Sequence, residues 1–280
     1  MHRSHIVSII CAAAASLVMT TTASAVPSIY FYPYFLFNAP FTFNGSSGPV
    51  TADTIPMING TNQKGSFFVT APQDVTQSFS AQYTFYIQNI TGDTPNGGDG
   101  VAFVIEGDSH GPSALGAGGT QLGYGDNGGG SAIQNSLAVA CITGATNQIE
   151  LFANTNNANL NVASSAFATQ TGNVGNLTTN PNIVTVNYTA PGIPDPTGLL
   201  TVLFDGNSIG LDNVTLPMSL QSLIGGPTGY FGFSSSSDAN NGAQIAIENI
   251  VAGALPEPGS LGLLAAGAMG LALRRRRTAM

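Results

Sequence analysis

Residues 96–125 read NGGDGVAFVIEGDSHGPSALGAGGTQLGYG. A Gly-Gly-Asp-Gly turn opens the stretch, the run Val101–Ala102–Phe103–Val104–Ile105 follows, and a loop studded with glycines closes it. The run is apolar at every position, as a strand covered on both faces requires. Asp99 stands at its entrance, and the loop at its exit is rich in unencumbered backbone. A carboxylate beside exposed amide N–H groups is chemistry that grips a neutral polyhydroxyl ligand.

The flanking segments extend the β reading. In 78–90, Phe79, Ala81, Tyr83, Phe85 and Ile87 alternate with Ser80, Gln82, Thr84, Tyr86 and Gln88, the period of a half-buried strand. Further strands are expected at 136–143, at 148–153 paired back across the turn at 144–147, at 184–188 and at 200–204. Asp205-Gly206-Asn207 carries a hairpin signal, and 229–234 and 243–250 complete the set. The polar stretch 154–182 reads as long loops with short edge strands, and the aromatic-rich 27–43 as an edge strand packed on the core. Many short strands and no trustworthy helical period predict an all-β antiparallel sandwich or barrel. It forms one domain over 26–254, with 253–259 as a linker.

Charge narrows the partners. The basic residues are Arg3, Lys64 and Arg274–Arg277, so 26–254 holds one lysine against thirteen acids, the fourteen of the chain less Glu257. Nucleic-acid binding requires lysines and arginines to displace phosphate counterions, which excludes that partner class. Neutral glycans fit better than anionic ones. Of the two cysteines, Cys11 lies in the N-terminal apolar segment and Cys141 in an apolar run. Cys141 is therefore expected to be a buried structural thiol.

Both ends read as addresses. Residues 1–25 combine a basic start, an apolar core and Ala23-Ser24-Ala25, the pattern of a signal peptide cut by signal peptidase. At the other end, Pro256-Glu257-Pro258 precedes an apolar stretch at 259–273 and the arginines Arg274, Arg275, Arg276 and Arg277. Segment 255–280 resembles the PEP-CTERM sorting signal. That resemblance implies a Gram-negative bacterium, processing by an exosortase-type transpeptidase and association with exopolysaccharide or biofilm matrix. The apolar stretch is expected to anchor the chain transiently as a transmembrane segment in the inner membrane. The domain then reaches the cell surface or the matrix.

The domain itself resembles the L-type (legume-like) lectin domain. The matching residues are Gly65-Ser66-Phe67-Phe68, the 79–85 strand, Gly98-Asp99-Gly100-Val101-Ala102-Phe103-Val104, and Gly111-Pro112-Ser113-Ala114-Leu115-Gly116. Gly118-Gly119, Leu122-Gly123-Tyr124-Gly125, Asn135-Ser136-Leu137-Ala138-Val139, the 200–205 strand and Gly229-Tyr230-Phe231-Gly232-Phe233-Ser234 continue it. The resemblance implies a concanavalin-like jelly-roll sandwich that binds sugar at loops on one face. Carried over by position, Asp99 is the sugar-binding carboxylate and Gly118 and Gly119 offer backbone N–H groups. Asn147 supplies an amide, and Ser236, Asp238 and Asn240 lie in the loop that adjusts specificity. The family's metal strand carries a Glu and an Asp where this chain has Ala140 and Ile142. Calcium is thus a cofactor the family implies and these positions do not support, because calcium needs several hard oxygen ligands.

Catalysis is not expected. Hydrolases of the same sandwich carry Glu-x-Asp-x-x-Glu on one strand; Glu106-Gly107-Asp108 begins that way, but Gly111 stands at the last position. The Glu106–Asp108 pair reads instead as a solvated loop pair. Two functions stay open: an exported carbohydrate-binding protein, or a structural matrix protein with the lectin fold and a degenerate, non-binding site.

Overall fold

A computed structural model describes residues 41–254 except 52–53, 92–99, 130, 144–146, 156–159, 163–164, 171–173, 175–176, 179–180, 193–195 and 241. The expected signal peptide, Asp99 and the sorting segment from Pro256 onward lie outside the described residues.

Two antiparallel sheets face each other. The front sheet runs in the order β1 (Phe41–Gly45), β3 (Lys64–Val69), β13 (Thr228–Ser236), β6 (Gly100–Glu106), β7 (Ser136–Ile142), β8 (Gln148–Asn154), β9 (Ala168–Gln170). The short β4 (Gln73–Asp74) pairs with the start of β13. The back sheet runs β12 (Asn207–Thr215), β11 (Leu199–Phe204), β10 (Asn182–Thr189), β5 (Phe79–Thr91), β14 (Gly242–Ala254), β2 (Thr54–Gly60). The late strands β13 and β14 insert between early ones in both sheets, the crossing that makes a jelly-roll β-sandwich.

The alternation in β5 does what it predicts. Phe79, Ala81, Tyr83, Phe85 and Ile87 are all buried between the sheets. They meet Phe103 and Ile105 of β6, Val139 and Cys141 of β7, and Phe231 and Phe233 of β13. Phe233 is the hub: its ring lies 4.7 Å from Tyr83 edge-on, 5.3 Å from Phe67 and 5.5 Å from Phe103. Cys141 is fully buried here, and burial pushes its thiol up to about 12. It is an inert structural cysteine.

A second apolar layer lies on the opposite face of the front sheet. Ala102 and Val104 of β6, Ala138 and Ala140 of β7, Phe68 and Phe152 are covered by Ala114, Leu122, Tyr124, Ile133, Leu160 and Val162. The central strands are therefore buried on both sides, which is why 101–105 is apolar without interruption.

Some elements depart from the sequence reading. A short helix α1, Leu220–Ile224, is capped by Ser219, whose hydroxyl accepts from the Ser222 amide at 3.2 Å. It ends at Gly225 with φ 76°. Five residues are too few to show a helical period. Strand β2 contains Pro56, and β12 contains Gly210 and Asn213 at positive φ, residues that mask a strand pattern. The Asp205-Gly206 turn is a hairpin with both central residues at positive φ (50° and 76°), joining β11 to β12.

Truncating Phe233 to Ala removes the ring shared by three aromatic neighbours. We expect equilibrium denaturation to show a loss of about 3–5 kcal/mol in unfolding free energy, the range for a buried phenylalanine.

Candidate functional site

One end of the front sheet collects the site. Ser236, Gly100, Ile142 and Gln148 stand in register across β13, β6, β7 and β8, and Lys64 of β3 pairs with Ser236. Gly100 has φ 124°, and a Cβ there would lie 2.0 Å from the Cys141 carbonyl oxygen, so only glycine fits. Asp99 immediately precedes it in the chain.

Above this row the Gly-rich segment folds back on itself. The Gly116 N–H donates to Gly123 O at 2.6 Å, the Ala117 N–H to Gly125 O at 2.8 Å, and the Gly123 N–H to Ala117 O at 2.8 Å. A 3₁₀ turn, Gly119–Gln121, forms the tip, with Gly119 in the left-handed region at φ 63°. The base is tied as firmly. Gln121 Oε1 accepts from the Val162 amide at 3.0 Å, and the buried Asp126 carboxylate accepts from the amides of Gly128, Gly129 and Ser131.

A cleft of about 350 Å³ opens beside the tip. Gly118 and Gly119 form one wall; Asn62, Gln63 and Lys64, Asn127, and Ser237 to Ala239 form the others. Of the residues singled out in the sequence, Gly118, Gly119 and Asp238 line this cleft. Ser236 lies directly behind it, its hydroxyl donating to Gly119 O at 2.6 Å. Asn240 steadies Asp238, its amide donating to Asp238 Oδ1 at 2.7 Å, while the Asn62 amide donates to Asp238 O at 2.6 Å. Asn147 is not among the lining residues; it sits at the head of β8, next to Gln148, which is two strands and about 10 Å from Gly100.

Asn62, Gln63, Lys64 and Asn127 were not legible as site residues. Lys64 carried one available signal, as the single basic residue between Arg3 and Arg274. The serine run 234–237 carried another. All four serines are buried, and three tie neighbouring segments: Ser235 to Gly100 O, Ser236 to Gly119 O and Ser237 to Gly60 O, at 2.6–2.7 Å.

Among the described residues, those at the metal-strand positions do not fit a calcium or transition-metal ion. Ala140 is fully buried in the outer apolar layer and Ile142 packs against it. Glu150 stands opposite Ala140 on β8, mostly buried, and burial raises its carboxyl above the ordinary range. It is a single carboxylate; among the described residues no group of three or more His, Cys, Asp or Glu could hold a metal.

The Glu106–Asp108 pair corrects the sequence reading, for it is not solvated. Glu106 is fully buried at the far end of β6 from the cleft, and Asp108 nearly so. Glu106 Oε2 accepts from the Asp108 amide, while Oε1 is buried without a hydrogen-bond partner. Asp108 Oδ1 lies 2.7 Å from His110 Nδ1, and its Oδ2 accepts from the Gln134 amide at 2.7 Å. Burial pushes Glu106 up to about 8; the Asp108 amide opposes that shift and the Asp108 charge adds to it. The pair is a buried anchor at the root of the loop that begins at Gly107.

Comparison with known proteins agrees with the two-sheet fold. Residues 254–277 match the PEP-CTERM protein-sorting motif. The chain resembles the metal-free Emp46p carbohydrate recognition domain with TM-score 0.53 and 16% identity, covering 76% of this chain and 87% of that one. Arcelin-5, a lectin-like defence protein from Phaseolus vulgaris, aligns with TM-score 0.58 and 14% identity over 81% and 97% of the two chains. Lectin I-B4 from Griffonia simplicifolia, in its metal-free form, gives 0.58 and 18% over 79% and 96%. No curated protein matches the sequence. The fold is that of the legume and L-type lectins.

The raised carboxyl at Glu106 fixes the sign of a pH effect. Near pH 4.5 and below, folded and unfolded chains both hold the proton; between there and about pH 8 only the folded chain keeps it. Stability therefore falls as pH rises through this window and levels off above it. Melting curves at pH 5 and pH 8 should differ by roughly 5–10 °C, and Glu106→Gln should remove most of that difference.

Proposed function

We propose that this chain is an exported lectin that holds a neutral glycan in the cleft between Gly118–Gly119 and Asp238. The observation that carries the reading is the juxtaposition itself. A glycine wall that admits a ligand close to backbone faces a fixed acidic loop, at the sheet end where Gly100 pairs with Ser236. Asp99 is the principal carboxylate, accepting from sugar hydroxyls, and Asp238 with Asn240 shapes the opposite wall. Asn147 acts farther along the sheet edge, reaching an extended glycan and not the first sugar. The lectin fold supports this reading, and so does the dearth of cations, which leaves neutral sugars as the better partners.

The sorting motif implies an exported protein handled by an exosortase and held in the membrane through its C-terminal segment. Among the described residues no helix is long and apolar enough to cross a membrane. In our reading, signal peptidase removes residues 1–25, and the sandwich is then displayed at the cell surface or in the exopolysaccharide matrix. The proposed role is binding, not catalysis.

A glycan array probed with the exported chain tests the proposal. We expect binding to a subset of neutral glycans, weakened roughly 10- to 100-fold by Asp99→Ala, the cost of one or two charge-assisted hydrogen bonds. Asp238→Ala should weaken it less and alter which glycans are bound. A correctly folded chain that binds no neutral glycan would overturn this reading in favour of the alternative, a structural matrix protein built on the lectin fold.

A further inference from the structure

The Gly-rich loop needs a fastener, and the position from which a metal would act is apolar. What the structure offers is a row of side-chain donors rising from the outer face of the front sheet. Asn44 Nδ2 on β1 donates to Pro112 O at 2.9 Å. Ser66 Oγ on β3 donates to Ala114 O at 2.6 Å, Lys64 Nζ to Gly116 O at 2.9 Å, and Ser236 Oγ on β13 to Gly119 O at 2.6 Å. We propose that this ladder, with Lys64 as its charged member, holds the Gly-rich loop over the cleft without a metal ion.

The ladder is continuous. It captures alternate carbonyls at 112, 114 and 116 and then the carbonyl at the tip of the loop, from three strands adjacent in the sheet. Its members support each other: Asn44 Nδ2 also donates to Ser66 Oγ at 3.0 Å, so the Ser66 hydroxyl accepts from β1 while donating to the loop. Ser66 and Ser236 are fully buried, so their bonds to carbonyls are shielded from competition by water. Lys64 contributes what a cation contributes elsewhere, positive charge directed at a carbonyl oxygen. Its stem runs under Gly118, where an added Cβ would meet Lys64 Cβ and Cδ at 3.8 Å. The ammonium thus reaches past the glycine wall of the cleft to the residue that starts the fold-back at Gly116.

The outer apolar layer completes the fastening. With Ala140 and Ile142 in the metal-strand positions, Leu122 and Tyr124 can settle on the sheet, and Tyr124 Oη lies 3.0 Å from Ser136 Oγ. Lys64 is accordingly a positioning residue and not itself the reader of the sugar. The inference deepens the proposed glycan site and rests on it for its purpose, but its test needs no glycan, so the two can fail separately.

Hydrogen exchange read by mass spectrometry on the full-length chain tests it. We expect exchange in 114–121 to be unchanged by EDTA or by added calcium or manganese. Lys64→Met should speed exchange of that segment at least tenfold while leaving β5 and β6 protected, and Lys64→Arg should restore slow exchange. Faster exchange in EDTA would overturn the inference, as would a Lys64→Met chain that exchanges like the parent. A Lys64→Arg chain no slower than Lys64→Met would also overturn it, since positive charge at that position would then be immaterial.

Discussion

The front sheet has no free face at its centre, and that constraint governs the rest of the molecule. On one side Phe103, Val139 and Phe233 meet the back sheet; on the other Ala102, Val104, Ala138 and Ala140 meet the loops. A sheet covered twice must be apolar twice, so its strands cannot be recognised by alternation. The loops that cover it bring backbone polar groups into a dry layer, and each of those groups needs a partner. The small polar residues on the outer face answer that need. Serines 66 and 236 and Asn44 are short enough to sit within the layer and still reach a carbonyl.

The same constraint explains where the few charged groups sit. Glu106 and Asp108 occupy the exit of β6, beneath the loop they introduce, and Asp126 and Glu150 are also largely buried. Asp126 accepts from three amides of its own turn. Glu106 has one amide and an orphaned oxygen, so burial dominates and the acid is held protonated near neutrality. Two carboxylates in one loop layer thus differ in their surroundings: three amides meet one, and a single amide meets the other.

Much of the fold was legible because period and turn chemistry agreed in the same segments. The 79–87 alternation and the Asp205-Gly206 turn each have a local physical cause, and each appears in place. The elements that were missed are those whose local chemistry runs against their state: β2 with its proline, β12 with its irregular register, and a helix of one and a half turns. The site was legible only in part. Gly118, Gly119 and Asp238 meet because chain segments 119 residues apart close on each other, and the pattern shared with lectins carries that information. Lys64 and Asn62 come to the cleft through the turn between β2 and β3, and no local motif marks them. Glu106 was misread for a simpler reason: a charged residue beside glycines suggests solvent, and no local pattern shows that the loop after it folds back over the strand.

Loss of the metal acids does not by itself argue that the site has lost its ligand. Here Ala140 and Ile142 belong to a packed layer with Leu122, Tyr124 and Phe152, not to a void, and the carbonyls of the loop are met by side chains from three strands. Replacing a buried ionic assembly by apolar packing is often neutral or stabilising. The contacts that hold the loop also order the glycine wall of the cleft, and that coupling favours the binding reading over the purely structural one.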